Sequence, residues 1–178
     1  MKPFLSLLLL TALLAFSAKA DTMGAPATDA DGRHDFDFYI GSWTIENHVL
    51  QPGGAWKAFE STTTDRAFLA GMGNIDEMTL PRDAHGASLR FFDPQTKLWS
   101  IYWATSTRGK LELPPEVGKF EDGVGHFYGD DVDAAGKPVK VRFTWTRASA
   151  DHLHWDQAYS YDGGKTWQVN WTMEFTRR

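Results

Sequence analysis

Two histidines and an aspartate alternate along one short segment in a pattern that can chelate a metal ion. His152, His154 and Asp156 are separated by Leu153 and Trp155, so on a β-strand all three would project from one face. Imidazole and carboxylate ligands suit Zn²⁺ or iron. The leucine and the tryptophan, however, mark the opposite face as the core side, which leaves the three polar side chains in solvent. We therefore expect no metal here and no cofactor in the protein.

Carboxylates and a histidine can also act as a general acid and base. Asp76, Glu77 and His154 are the candidates, and they define one alternative interpretation of the chain, a hydrolase or isomerase that works at the mouth of a β-barrel. Nucleophilic chemistry has less support, because the sequence contains no cysteine and no Gly-x-Ser-x-Gly motif. The sequence leaves enzymatic activity open and assigns no catalytic residue.

Polar residues placed among apolar ones give a better indication of a binding site. Asn47 falls on the same strand face as Trp43, and Gln157 falls on the same face as Trp155. A buried polar side chain must find a partner inside the protein or on a ligand. These positions therefore predict polar anchors inside an otherwise apolar interior.

A charged pair and two neighbouring aromatic residues complete the set of candidates. Arg90 is expected to pair with Glu77 on the neighbouring strand and to form the floor of a cavity. Tyr102 and Trp103 point to opposite faces of one strand, so one of them must form an aromatic wall. The predicted ligand-binding residues are Asn47, Asp76, Glu77, Arg90, Tyr102, Trp103, Trp155 and Gln157.

Strands must position these side chains, and two-residue alternation dominates the sequence from residue 41 onward. Residues 43–49 and 141–145 separate apolar from polar positions in this way, and so do residues 169–175, where Val169 and Trp171 share the apolar face. Such alternation is typical of strands with one packed face. Turn-forming sequences divide the chain into about nine or ten strands.

The connections between these strands predict the architecture. No segment has the pattern of a long amphipathic helix, so the strands are expected to form antiparallel hairpins. Closure removes exposed edges, which favours a single all-β, up-and-down barrel over a β-sandwich, the alternative. Residues 36–40 are expected to form a short helical plug before the first strand. Because the first and last strands of a closed barrel pair, Arg177 can lie over Trp43, next to Gly41.

The N-terminus predicts export. Lys2 precedes an apolar run over residues 4–16, and Ala18-Lys19-Ala20 follows as a cleavage site. We expect residues 1–20 to be a signal peptide, residues 21–34 a flexible leader, and residues 35–178 the folded domain. With no cysteine to accept a lipid, no stable membrane anchor is expected after cleavage. The protein should then be periplasmic or secreted.

The charge of the chain limits its partners. The formal net charge is −5, and the lysines and arginines are scattered singly along the sequence. Nucleic-acid binding requires clustered basic residues, so we expect no nucleic-acid partner. Anionic membrane surfaces are disfavoured for the same reason. The sequence does not indicate an oligomeric state.

Several segments resemble known families. Gly41-Ser42-Trp43 together with a terminal arginine is similar to the calycin pattern shared by lipocalins. Residues 73–77, 91–104 and 155–167 resemble an uncharacterised family of bacterial exported proteins with a calycin-like barrel, and this resemblance extends over residues 36–178. It implies a lipocalin-like fold and no established activity.

One local motif has a second resemblance. Residues 160–167 resemble the Asp-box hairpin that recurs in sialidase propellers, but the motif occurs here only once. A propeller requires several copies at regular spacing. We therefore interpret this segment as a hairpin in which Asp162 accepts hydrogen bonds from the amides of the turn.

These observations lead to one main expectation about function. A barrel of this size encloses space for one small ligand, and the eight tryptophans occupy much of that space. We expect an exported protein that binds a small amphipathic ligand in a modest, aromatic-lined cavity. The barrel-mouth enzyme is one alternative, and an envelope protein-interaction module using outward aromatics such as Tyr102 or Tyr159 is the other.

Overall fold

The computed structural model describes residues 31–178, in which ten antiparallel strands form a closed barrel. Each strand pairs with the next along the chain, and the last pairs with the first. The strands are β1 Gly41–Leu50, β2 Trp56–Phe68, β3 Gly73–Leu80, β4 Ala84–Asp93, β5 Leu98–Thr105, β6 Glu116–Glu121, β7 Val124–Val132, β8 Pro138–Arg147, β9 His152–Ser160 and β10 Gln168–Arg177. The predicted up-and-down barrel is confirmed, and the sandwich alternative is wrong.

Short helical turns accompany the strands. The 3₁₀ turns span Asp37–Tyr39 and Leu69–Gly71. Within residues 31–178, no helix is long and apolar enough to cross a membrane. The predicted signal peptide, residues 1–20, lies outside the described residues. Residues 21–30 of the predicted leader also lie outside them. The described part of the leader contacts the barrel, because Trp99 Nε1 donates a hydrogen bond to Gly32 O at 2.9 Å.

One end of the barrel is filled by the segment that precedes β1. Phe36 packs its ring 5.0 Å from that of Trp99, and Tyr39 lies 5.0 Å from Trp145 and 5.6 Å from Phe175. These partners belong to β5, β8 and β10, so the segment crosses the interior from one wall to another. The predicted helical plug is thus present as a single 3₁₀ turn. We call this end of the barrel the closed end and the opposite end the open end.

The first and last strands meet at the closed end. The guanidinium carbon of Arg177 lies 4.1 Å from the ring centroid of Trp43, and its Nη atoms donate to Ile40 O and Phe38 O at 3.0 and 2.9 Å. Gly41 adopts a φ of 131°, which favours glycine, and a Cβ there would lie 2.5 Å from Arg177 Nη1. The glycine leaves room for the arginine side chain, and the guanidinium of the arginine covers the tryptophan ring. This steric and electrostatic fit explains why the three residues occur together.

The alternation of side chains holds along most strands but fails in β10. The register shifts between Val169 and Trp171, so Val169 lies opposite Ala158 while Trp171 lies opposite Gln157. Val169 is consequently exposed, although the sequence pattern placed it on the apolar face with Trp171. A β-bulge adds one residue to a strand, which moves the side chain before the bulge to the other face.

Candidate ligand-binding site

A cavity of about 80 Å³ lies inside the open half of the barrel. Its aromatic walls come from Trp103 on β5, Phe143 on β8, Trp155 on β9 and Trp171 on β10. The ring centroids of Phe143 and Trp155 are 5.1 Å apart, and those of Trp155 and Trp171 are 5.7 Å apart. Three adjacent strands thus present a continuous aromatic surface to the cavity.

The Trp103 ring depends on a small residue in the neighbouring strand. It occupies the position that a Cβ atom of Gly86 would take. Any side chain at Gly86 would therefore displace the ring from the wall. A glycine inside a strand often marks such a close approach of another group.

The floor of the cavity is a buried ion cluster. Arg90 Nη1 donates to Asp76 Oδ1 at 2.7 Å and to Asn74 Oδ1 at 3.0 Å, and it lies 3.5 Å from Asp65 Oδ1. These side chains come from β2, β3 and β4, and Arg90 is only 3% exposed. A buried cation is stable only when counter-charges accompany it, and here two carboxylates provide them.

Aromatic rings separate the ion cluster from the closed end. The guanidinium carbon of Arg90 lies 4.8 Å from the ring centroid of Tyr39, 5.3 Å from that of Phe36 and 5.5 Å from that of Trp145. Burial raises the pKa of Asp65 to about 7. The positive charge of Arg90 opposes this rise only in part, and the negative charge of Asp76 adds to it. Burial alone would lower the pKa of Arg90. The pKa is nevertheless raised, because the guanidinium interacts with Asp76, Tyr39 and Asp65.

Several polar atoms around this floor have no partner within the described chain. Arg90 Nε and Trp145 Nε1 are buried donors without an acceptor, and both oxygens of Asp65 are buried without a hydrogen-bond donor. Arg90 and Trp145 both line the cavity. Buried polar groups are nearly always satisfied by protein, water or ligand, so the floor can bind a polar group.

Three carboxylates lie toward the open end of the same cavity. Glu112, Glu116 and Asp131 line it from the loop after β5, from the start of β6 and from the end of β7. The backbone N–H of Glu112 donates to Trp103 O at 2.8 Å, and its carboxylate pairs with exposed Arg108 at 2.6 Å. Asp131 is solvent-exposed, so this acidic mouth connects the cavity with solvent.

The structure brings five of the eight predicted ligand-binding residues to this cavity. They are Asp76, Arg90, Trp103, Trp155 and Gln157. Gln157 lines the cavity, and its Nε2 donates to Asn170 Oδ1 at 3.0 Å. The inner face therefore carries both the aromatic and the polar part of the predicted set.

Two predicted residues point away from the cavity. Glu77 is on the outer face of β3, where its carboxylate is 71% exposed and pairs with His85 at 3.0 Å. The expected Arg90–Glu77 pair is therefore wrong, because alternation turns Asp76 inward in its place. Tyr102 lies on the outer face of β5 and packs against Phe91 at 5.9 Å, so Trp103 forms the wall.

Asn47 lies on the inner face of β1, but it contacts a residue of the cavity wall instead of the cavity itself. Its Nδ2 donates to Ser61 Oγ at 2.8 Å, and its Oδ1 accepts a hydrogen bond from Trp171 Nε1 at 3.0 Å. Asn47 does not line the cavity. It instead fixes the orientation of a tryptophan that does.

His154 and Asp156 lie on the outer face of β9, as their alternation with Leu153 and Trp155 suggested. His154 Nδ1 lies 2.5 Å from Glu174 Oε1, and its Nε2 lies 3.7 Å from Asp156 Oδ2. The nearby carboxylates of Asp156 and Glu174 raise the pKa of His154 to about 9. No group of three residues in the described chain has a geometry that could hold a metal ion. Asp76 and His154 lie on opposite faces of the wall, so the residues of the enzyme alternative do not converge.

The Asp-box segment forms part of the rim at the open end. Asp162 Oδ1 accepts hydrogen bonds from the amides of Lys165 and Thr166 at 3.0 and 2.9 Å, and from Ser160 Oγ at 2.8 Å. These bonds, those from Thr166 above all, lower the pKa of Asp162 to about 2. The expected turn-stabilising role of Asp162 matches this geometry.

Four acidic residues of the site were missing from the sequence-based set. Asp65 lies on the inner face of β2 within residues 61–65, which are polar on both faces of the strand, so the alternation gave no signal there. Glu116 follows two prolines, and the polar loop before it resembled surface sequence. Strand pairing places Asp65 beside Arg90 in the ion cluster and Glu116 in the lining of the cavity, and a single sequence carries no record of that pairing.

Comparison with known proteins finds similarity among solved structures only. No family model matches the chain, and no curated protein matches it either. The crystal structure of Rv2717c from M. tuberculosis aligns with a TM-score of 0.55 and 15% identity, over 86% of this chain and 98% of that one. The S-type phycobiliprotein lyase CPES from Guillardia theta aligns with a TM-score of 0.38 and 11% identity, over 83% of this chain and 95% of that one.

The similarity to Rv2717c identifies a fold and no function. The match covers most of this chain and nearly all of Rv2717c, and an identity of 15% shows a shared fold alone. The chain is a closed ten-stranded antiparallel β-barrel whose fold resembles that of Rv2717c. Its membership of the exported bacterial family that the sequence resembles stays a prediction, as do the signal peptide, the domain boundary at residue 35 and the location outside the cytoplasm.

Proposed function

We propose that the protein binds a small amphipathic ligand in the cavity at the open end, and that it does so after export. The observation that carries the proposal is the combination of aromatic walls with unpartnered donors on the floor. Ligand sites in proteins are typically concave and apolar, with a few convergent polar groups that fix orientation. The support for export is the N-terminal sequence alone.

The size of the cavity limits the ligand. A volume of about 80 Å³ exceeds the roughly 10–15 Å³ that one water molecule requires, and it is smaller than the roughly 150 Å³ cavity that holds benzene. A ligand must therefore have a compact body or extend through the mouth. Since the mouth is polar and the walls are aromatic, both cases favour an amphipathic molecule.

A panel of small molecules tests this proposal. We expect at least one cationic, neutral or anionic fragment of about ten non-hydrogen atoms to bind with one-to-one stoichiometry by calorimetry and to change tryptophan emission. Ser88→Phe should abolish this binding, because Ser88 lines the cavity and the larger ring fills it. Ser100 lies on the outer face of β5, between the inward Trp99 and Ile101. Ser100→Phe should retain the binding.

Two outcomes would contradict the proposal. One is that no fragment of any charge class binds in a saturable manner. The other is that binding persists unchanged in a folded Ser88→Phe variant, which would place the ligand elsewhere on the molecule. Far-ultraviolet circular dichroism on both serine variants shows whether each has kept the barrel.

A further inference from the structure

The charges around the cavity specify more than an amphipathic ligand. Apart from Arg90, every ionisable side chain that lines the cavity is a carboxylate or the phenol of Tyr39. Arg90 is already compensated, because Asp76 and Asp65 lie 2.7 and 3.5 Å from its Nη1. Within residues 31–178, the interior therefore offers no free positive charge to an anionic ligand, which would also have to pass the acidic mouth.

The mouth combines carboxylates with aromatic faces. Glu116 and Asp131 line it together with Trp103, and Phe143, Trp155 and Trp171 extend the aromatic surface inward. Glu112 is the third carboxylate, but Arg108 offsets its charge at 2.6 Å. An organic cation is attracted both by carboxylates and by the faces of tryptophan rings.

The floor adds a separate requirement. Arg90 Nε and Trp145 Nε1 are buried N–H donors without an acceptor in the described chain, and both residues line the cavity. Arg90 and Trp145 are 3% and 2% exposed. These two N–H groups have almost no accessible surface, so a small rotation of either side chain toward the cavity would present a donor to an acceptor oxygen at the inner end of a ligand. That contact would remove the cost of a buried donor without a partner.

We propose, on the basis of the function proposed above, that the ligand is a small organic ammonium compound with a hydrogen-bond acceptor at its other end. The ammonium group lies at the mouth between Glu116, Asp131 and the tryptophan faces. The acceptor oxygen lies toward Arg90 and Trp145 on the floor. The net negative charge of the lining selects against an anion, and the desolvated aromatic walls select against a strongly hydrated inorganic cation.

The ionisation of Glu116 gives this arrangement a pH dependence. Burial, with Asp131 and Glu112 adding to it, raises the pKa of Glu116 to about 7. A bound ammonium favours the charged carboxylate, so binding should release a proton near neutral pH. The groups that face Glu116 are Asp131 on β7, Glu112 in the loop after β5 and, through Glu112, Arg108. Affinity for the cation should rise between pH 6 and pH 8.

Choline and its neutral isostere 3,3-dimethylbutan-1-ol provide the test. The two molecules have the same shape and the same hydroxyl, and they differ only in whether a nitrogen or a carbon carries the three methyl groups. We expect calorimetry at pH 8 to give choline an affinity about tenfold higher than that of the alcohol, in the range that cation–π and charge attraction provide in partly desolvated sites.

A pair of variants assigns the charge preference to the mouth. Glu116→Gln should lower the affinity for choline several-fold, remove most of its pH dependence, and leave the affinity for the alcohol unchanged. Glu121 lies on the outer face at the other end of β6 and pairs with Lys119. Glu121→Gln should change neither affinity, which makes it the matched control.

The outcomes separate this inference from the proposed function. If the alcohol binds as tightly as choline, or an anionic fragment binds best, the ammonium inference is overturned while the binding function stands. Equal loss of choline and alcohol affinity in Glu116→Gln would also overturn it, because Glu116 would then act on shape rather than charge. If neither molecule binds and the fragment panel also fails, both proposals fall.

Discussion

The two ends of the barrel use the same kind of residue in different ways. At the closed end, Trp43 and Trp99 are almost fully buried, and each indole N–H donates to a backbone oxygen, of Tyr39 at 2.7 Å and of Gly32 at 2.9 Å. At the open end, Trp103 and Trp171 are partly exposed and border the cavity. The rings of the closed end fill space, whereas those of the open end enclose it.

Charge follows the same division. The cation of the closed end, Arg177, donates to backbone carbonyls and covers Trp43, so it completes a packed structure. The carboxylates of the open end, Glu116 and Asp131, border the cavity, and Asp131 Oδ1 accepts a hydrogen bond from the backbone N–H of the next residue at 2.7 Å. The comparison indicates that the packed closed end contributes most to stability. The open end is packed less tightly, and its side chains enclose a cavity instead.

The largest expected effect is the difference between two tryptophan truncations. Trp43→Ala should lower the free energy of unfolding by about 3–5 kcal/mol, because it removes a fully buried ring and leaves a cavity. Trp103→Ala should cost less than half as much, since its ring is partly exposed, and it should weaken the binding of any cavity ligand. Urea unfolding and calorimetry measure the two quantities.

Equal losses of stability from the two truncations would break the comparison, because the open end would then be part of the core. A Trp43→Ala variant that remained stable but lost ligand binding would reverse it. Trp103→Ala also exposes Gly86, and its effect on stability includes that contact.

The boundary between the two ends is the Asp65–Arg90–Asp76 cluster, and its expected effect is the next largest. The pKa of Asp65 is raised to about 7 in the folded state from an ordinary value of 3.8. The folded protein therefore holds a proton, between about pH 4 and pH 7, that the unfolded chain releases. This stabilisation is complete below the unfolded pKa and is lost progressively as the pH rises from about 4 through 7, by about 4 kcal/mol in total.

Asp65→Asn should remove this loss, because an amide carries no charge to bury. The variant should be more stable than the parent protein at pH 8, and the advantage should shrink toward pH 4. Thermal or urea unfolding of both proteins across this range measures it. A difference that does not vary with pH would show that Asp65 is already ionised in the folded state. Glu60→Gln, on the exposed face of the same strand, is the control.

Much of the fold could be predicted from alternation, because the period of two is a local property of each strand. Trp43, Ile45 and Asn47 share the inner face as expected. The closure of the barrel followed from the same pattern together with the cost of free edges. The position of Val169 could not be predicted, because one inserted residue in β10 changes the face without any change in composition.

The site was predicted in part, for a related physical reason. Residues such as Asp76 and Gln157 stood out because their faces also carry Met78 or Trp155. The choice between Asp76 and Glu77 as the partner of Arg90 depended on which of two adjacent acids points inward, and the apolar face of β3 was the only guide. Pairing between strands brings Asp65 to the Arg90 cluster and Glu116 to the cavity, and sequence patterns within one strand do not contain that pairing.

The smallest expected effect tests whether the closed end is independent of the open end. Arg177→Lys keeps the positive charge but removes the planar fork that reaches Phe38 O and Ile40 O, so we expect a loss of about 1–2 kcal/mol in the free energy of unfolding. Arg178 is exposed, and Arg178→Lys should change nothing. Choline affinity should be equal in both variants and in the parent, because neither residue borders the cavity. If Arg177→Lys instead altered choline affinity in proportion to its loss of stability, the two ends would be coupled through the wall, and the aromatic rings around Arg90 would be the contacts that transmit the change.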